Sequence, residues 1–272
     1  MHRRPSFLLL ASAMLLGSRT ARATPNSPYA AVDARARAEL DGIAPTAVPS
    51  WDAANAARDE GRYDEATTAY RAVAATAPKF DHAHRRVCSC LSALRRSDEA
   101  ILECRTAMAL RESPENEAAL AAALVDAPSP PPSAQAEANG LVLHAQKTQP
   151  DDPAITSIAA RVALARGDGA SFDRNVATLH RIAPDTEDTA FFTIVQDLNH
   201  EDGDGARAEL AAHRGLFRTE RAAALDVMID DVTSHPTAGR IAWRVARVVV
   251  VLVGLLLLVA AVLRRRKTKL AA

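Results

Sequence analysis

Hydrophobic and polar positions follow three different patterns along this chain. The first is a short apolar run, Phe7 to Gly17, within MHRRPSFLLLASAMLLGSRTARA. Its eleven residues are too few to cross a bilayer as a helix. His2 to Arg4 precede it and the small residues Ala21-Arg-Ala23 close it, the layout of a secretory signal over residues 1–23, cleaved after Ala23. No cysteine sits at that point, so a lipid-modified amino terminus is not expected. The pattern at the other end is VVVVLVGLLLLVAAVL, Val248 to Leu263, followed by RRRKTK. It has no polar face, so a helix here needs apolar surroundings on every side. At ~1.5 Å per residue it reaches about 24 Å, and Val245 and Ala246, with Arg247 snorkelling, extend it to the ~30 Å of a bilayer core. A transmembrane helix over 241–263 and a basic tail over 264–272 are predicted. Five bases after the span against three before it, together with the signal, put the body outside the cytoplasm and the tail inside. Arg240, Arg244 and Arg247 share one helical face and, with Trp243, read as interfacial anchors.

Between these ends, apolar positions recur at helical spacing. PYAAVDARARAELDGIAP, within 24–46, carries alanine and leucine on one side and predicts a capping helix. LFRTERAAALDVMIDDV, from Leu216, predicts an amphipathic helix at the other end, and a linker containing TSHPTAG completes the stretch 216–239. Within 47–220 the pattern repeats. GRYDEATTAYRAVAATAP places Gly61, Tyr63, Ala66, Tyr70 and Pro78 at set intervals. Ala66 is followed after 34 residues by Ala100, after a further 38 by Ala138, then at 34 by Phe172 and at 34 by Ala206. Prolines at 78, 150 and 184 keep the same register.

These residues resemble the second half of a tetratricopeptide repeat, a helix–turn–helix unit of 34 residues. The resemblance implies a Gly-x-Tyr turn between two helices, a small residue at their closest approach, an aromatic at the interface and a proline ending the unit. Five units follow, at about 47–80, 81–114, 115–152, 153–186 and 187–220, so the expected fold is an all-α solenoid of about five hairpins plus a transmembrane helix. The third unit holds four extra residues, expected in a loop, DAPSPPPS, that no helix can include. In such arrays the first helix of each hairpin lines the concave face. The resemblance therefore implies groove positions at Trp51, Asn55 and Arg58, at His82, Arg85 and Ser89, at Arg161, and at Phe191 and Val195. Trp51 has a competing role as filler between the cap and the first unit. Asn55 matches one position of the basic clamp with which several such domains hold a terminal carboxylate, but the lysine a turn earlier is absent.

Composition agrees with helices: 48% of residues are hydrophobic but only 4% aromatic, and alanine dominates. The formal charge of zero conceals a polarity. The two ends hold twelve of the 33 bases and no acid, which leaves 21 bases against 33 acids, net −12, between them. An acidic body excludes nucleic acid as the expected ligand.

Reactive side chains are few. DHAHRRVCSC, Asp81 to Cys90, puts His84 and Cys88 on one helical face, where they could share a metal. Against this, Cys88 and Cys104 fall in slots where the family packs its two helices together, as packed thiols or one disulfide, with Cys90 left over. EDGDGA, Glu201 to Ala206, alternates acids as a calcium loop does, yet lacks the glycine and closing glutamate such a loop needs and reads as a turn. No nucleophile elbow, HExxH, phosphate loop or CxxC occurs, so neither an enzyme nor a cofactor is expected. The expected function is a non-catalytic interaction scaffold of the cell envelope, periplasmic in a bacterium, that presents its groove to another envelope protein or peptide. Two alternatives stand beside it. One is a surface-sorted protein whose hydrophobic, arginine-ended tail is a processing signal, although TSHPTAGRIAWR shows no sorting motif. The other is a metal- or redox-active protein using Cys88, Cys90 and Cys104.

Overall fold

The computed structural model describes residues 30–234. The signal segment 1–23, the span 241–263 and the tail 264–272 lie outside the described residues, and among the described ones no helix is long and apolar enough to cross a membrane. The chain divides into two compact units after Leu225.

Twelve α-helices make up the described residues, with 3-10 turns at Pro45–Ala47 and Arg214–Leu216. In the first unit, α1 (Ala30–Ile43) precedes five hairpins: α2 (Val48–Asp59) with α3 (Tyr63–Thr76), α4 (Asp81–Ala93) with α5 (Ser97–Leu110), and α6 (Pro114–Asp126) with α7 (Pro132–Thr148). They continue with α8 (Pro153–Arg166) and α9 (Gly169–Ile182), then α10 (Glu187–Asn199) and α11 (Gly203–His213). Helix α12 (Thr219–Ser234) follows. Its last turns, from Asp226, are all that is described of the second unit.

The hairpins share one packing solution. The residues at the closest approach, Ala66, Ala100, Ala138, Phe172 and Ala206, are all fully buried. Four residues on, Tyr70, Cys104, Val142, Val176 and Leu210 are buried as well, one helical turn along the same face. The second helix of each hairpin is thus held by an i, i+4 stripe, which explains why a single small residue recurs at near-constant spacing. Successive first helices also touch: α4 meets α6, α6 meets α8, and α8 meets α10. One apolar cluster runs from Ala36 in α1 to Val162 in α8. Phe172 takes the small slot of the fourth hairpin and bridges to the next one, its ring 6.0 Å from that of Phe192.

A backbone state recurs along with the side chains. Gly61 (φ 76°), Arg95 (φ 64°), Gly167 (φ 68°) and Glu201 (φ 63°) each occupy the left-handed region in the turn inside a hairpin. Glycine enters that region freely, whereas other L-residues meet a steric cost of about 1–2 kcal/mol. Exposed Arg95 bears this cost, and the one turn bond it makes, its N–H donating to Ser92 O at 3.1 Å, is a backbone bond that glycine keeps. Arg95→Gly is therefore expected to raise the unfolding free energy by about 1 kcal/mol, read from urea denaturation.

One expectation needs correction. The loop DAPSPPPS is not wholly irregular: α6 includes Asp126, and α7 starts at Pro132 and includes Ser133. Proline suits the first helical turn, where its missing N–H would have no partner anyway. The extra residues of this hairpin are therefore shared between a longer turn and a 17-residue α7. Of the readings open for Cys88 and Cys104, the disulfide is the one present, not a metal shared by Cys88 and His84. Cys88 is joined to Cys104, Sγ–Sγ 2.10 Å and Cα–Cα 5.4 Å, and the His84 imidazole lies 2.8 Å from Glu103. Neither side chain is free to bind a metal with the other. Cys90 is the free thiol; it is buried, and desolvation pushes its pKa up to about 11, so little thiolate forms near neutral pH.

Candidate functional site

The first helices of all five hairpins, with α12's first turn, face a common open cavity of about 560 Å³. Its walls carry Arg58 from α2, Arg85 and Ser89 from α4, Arg161 from α8 and Phe191 from α10. Its floor is small and apolar, with Ala118, Ala119 and Ala122 on α6 and Ile155 and Ile158 on α8. Alanines there follow from helix α6, PENEAALAAALVD, whose close contacts with α4 and α8 leave little room for larger side chains.

The other candidates sit elsewhere. Trp51 is 0% exposed and lies between Tyr70 and Phe80, ring centroids 5.2 and 5.3 Å away in edge-on geometry. It is core, not a groove anchor, because the aromatic residues of α3 and of the α3–α4 turn enclose it from both sides. Asn55 does not line the cavity; its Oδ1 accepts hydrogen bonds from Tyr70 Oη (2.6 Å) and Arg58 Nη1 (3.2 Å), which positions Arg58. His82 is also outside the cavity and packs on Phe80. Val195 is buried within α10's packing face. Arg86, Glu115, Asp126, Asp188 and Arg221 line the cavity although the repeat pattern does not mark them, as does Tyr63, which the pattern marks for the turn and not for the groove. Recurrence at 34-residue spacing from Arg161 to Val195 carries no signal for them, since their side chains differ from hairpin to hairpin.

Most of the cavity's arginines have acidic partners. Arg58 pairs with Asp33 (3.1 Å) and Asp59 (2.6 Å), Arg86 also with Asp33, and Arg161 with Asp126 (3.3 Å). Arg221 pairs with Glu187 and stacks over Phe191, 4.8 Å from the ring centroid, a cation–π contact. Arg85 differs. It is only 8% exposed, and among the described residues no carboxylate lies within ion-pair distance of it. Its Nη2 donates to His82 Nδ1, and its Nε has no hydrogen-bond partner among the described residues. Burial holds the guanidinium's pKa below its ordinary range.

A relay fixes this arginine. Guanidinium can only donate, so His82 Nδ1 accepts and the imidazole is the neutral Nε2–H tautomer. That nitrogen faces Glu39 Oε2 at 3.4 Å. Glu39 is bound by Arg111, whose Nε also reaches buried Asp81 at 3.1 Å, and Asn116 Nδ2 donates to Asp81 Oδ2 at 2.8 Å. Glu39, Asp81 and His82 are close enough to suggest a cation site, but the Arg111 guanidinium already bridges the two carboxylates.

Burial, and next the charge of Arg85, push the His82 pKa below the ordinary 6.5, against the opposing pull of Asp81 and Glu39 and with a further push from Arg111. Folding thus favours the neutral ring. Its stabilisation is complete above pH 6.5 and is lost as pH falls toward the lower folded-state value. The urea midpoint of the wild type is expected to drop more between pH 7 and pH 5.5 than that of His82→Gln, which keeps an acceptor for Arg85 and does not titrate. Parallel pH profiles would show that His82 does not contribute.

No protein-family model matches the chain, and no curated protein sequence matches it. Among solved structures it is similar to the crystal structure of TTC0263, a thermophilic TPR protein of Thermus thermophilus. The identity is 15%, the match covers 74% of this chain and 97% of that one, and the TM-score is 0.55. At that identity the likeness shows the fold alone: the architecture is TPR-like.

Proposed function

We propose that this protein is a non-catalytic interaction scaffold whose TPR-like groove binds a segment of another protein. The observation that carries the reading is the cavity along the first helices of all five hairpins, where side chains unused in stacking face outward. Aromatic and arginine side chains, which dominate interface energetics, line it at Phe191, Arg85 and Arg161. The hydrophobic stretch 241–263 and the signal-like start extend the proposal to an envelope protein tethered to the membrane with its groove on the extracytoplasmic side. Tethering raises the local concentration of a weak binder for partners at the same membrane.

Photo-crosslinking amino acids placed at Ser89 or Arg161 test the groove in cells, with exposed Leu143, outside the cavity, as control. One discrete partner captured from the first two positions and not from the third is the expected result, and equal capture at all three sinks the reading. For tethering, the full-length protein is expected to stay in the membrane pellet after alkaline extraction, and a variant lacking 241–263 to leave it. Loss of the tail from the mature wild-type protein, by mass, would favour the processing-signal alternative.

A further inference from the structure

Among the described residues, Arg85 is a buried cation of the groove with no carboxylate within ion-pair distance, and it lines the open cavity. Its Nε has no hydrogen-bond partner among these residues, while the arginines at 58, 161 and 221 are paired with acids. Glu115 and Asp81 attract the guanidinium only from beyond ion-pair distance; Asp81 itself holds Arg111 and Asn116, and Glu115 accepts from Gln149 Nε2 at 3.4 Å. A buried guanidinium without a directly bonded carboxylate gains from an anion able to accept two parallel N–H bonds. His82, held in turn by Glu39, fixes the guanidinium in advance, so little side-chain entropy is lost when such an anion arrives.

We propose that Arg85 is the seat for an aspartate or glutamate side chain in an internal stretch of the partner segment. Charge complementarity selects the carboxylate. The cavity selects an internal position, because its lining continues to both sides of Arg85, toward Val32 and Tyr63 one way and toward Ile158 and Phe191 the other. The alanine floor beside it, Ala118, Ala119 and Ala122, lets the partner's backbone approach closely and favours apolar neighbours next to the acid. This inference rests on the groove being a protein-binding surface and names the chemistry of what it binds.

The test is selection of random displayed peptides on the purified protein in two formats, one with both peptide ends joined to the carrier and one with a free carboxyl terminus. Wild type is expected to enrich peptides with one fixed acidic position beside apolar residues in both formats. Arg85→Met is expected to lose the acid and keep apolar flanks, and Arg85→Lys to retain a weaker acid preference. In calorimetry, a selected capped peptide should weaken at least about tenfold on changing its acid to the amide in wild type, and not at all in Arg85→Met. Arg85→Met is also expected to melt no lower than wild type, since it removes a buried charge that has no ion-pair contact, at similar volume. Acid preference only at a free terminus, preference persisting in Arg85→Met, or a lower melting temperature for that variant would overturn the inference. Enrichment with no fixed acid would also overturn it and leave the groove reading standing, whereas no enrichment in either format would remove both.

Discussion

Trp51→Ala is expected to lower the unfolding free energy by about 3–5 kcal/mol, measured by urea denaturation with circular dichroism. The indole is enclosed by Tyr70 and Phe80 in two edge-on contacts, and it also fills the space where α2 meets the aromatic residue at the entrance to α4. Truncation removes the largest buried side chain among the described residues and opens a cavity that neighbouring backbones cannot close, because helices α3 and α4 are fixed by their own hairpins. Trp51→Phe keeps most of the volume and is expected to cost well under half as much. A loss below about 1 kcal/mol for the alanine variant would mean that the indole does not sit in packed core.

The second large effect is expected at the disulfide. Cys88 and Cys104 are separated by 16 residues, and closing a loop of that size constrains the unfolded chain by about 3 kcal/mol. Replacing both cysteines with alanine should cost about that much, plus a smaller amount for two buried sulfurs removed from between α4 and α5. Dithiothreitol should lower the melting temperature of the wild type and leave the double variant unchanged. The free Cys90 acts as an internal control: alkylation under native conditions should be slow, because the thiol is buried and held at about 11. Equal melting of wild type with and without reductant would show that the bond contributes nothing.

The fold is legible where one geometric requirement repeats. Ala66, Ala100, Ala138 and Ala206 are small because two helices nearly touch there, so composition and interval together reveal a stack of hairpins. Phe172 breaks the spelling but keeps the place, since its ring reaches across to Phe192. The site is legible in part for the same reason: Arg58, Arg85, Ser89, Arg161 and Phe191 lie on first helices, and position within a hairpin decides which face they occupy. Trp51 lies on such a helix too, yet which of its sides meets Phe80 depends on how two hairpins lean together, a three-dimensional fact with no local signature. That Arg85 has no carboxylate in ion-pair contact among the described residues is equally invisible, because it is a property of every neighbour at once. The length of α7 is hidden because a proline cluster signals a break, whereas Pro132 starts a helix.

The left-handed turn residues carry one more consequence. At the 34-residue interval from Gly61 to Arg95, and again from Gly167 to Glu201, the bend persists while the amino acid changes. Chemistry tolerates this because a modest steric penalty at one exposed position is small beside what the neighbouring helices gain by folding back on each other. The letters at the bend can therefore change while the architecture stays, and the units of this array are better matched through torsion angles than through spelling.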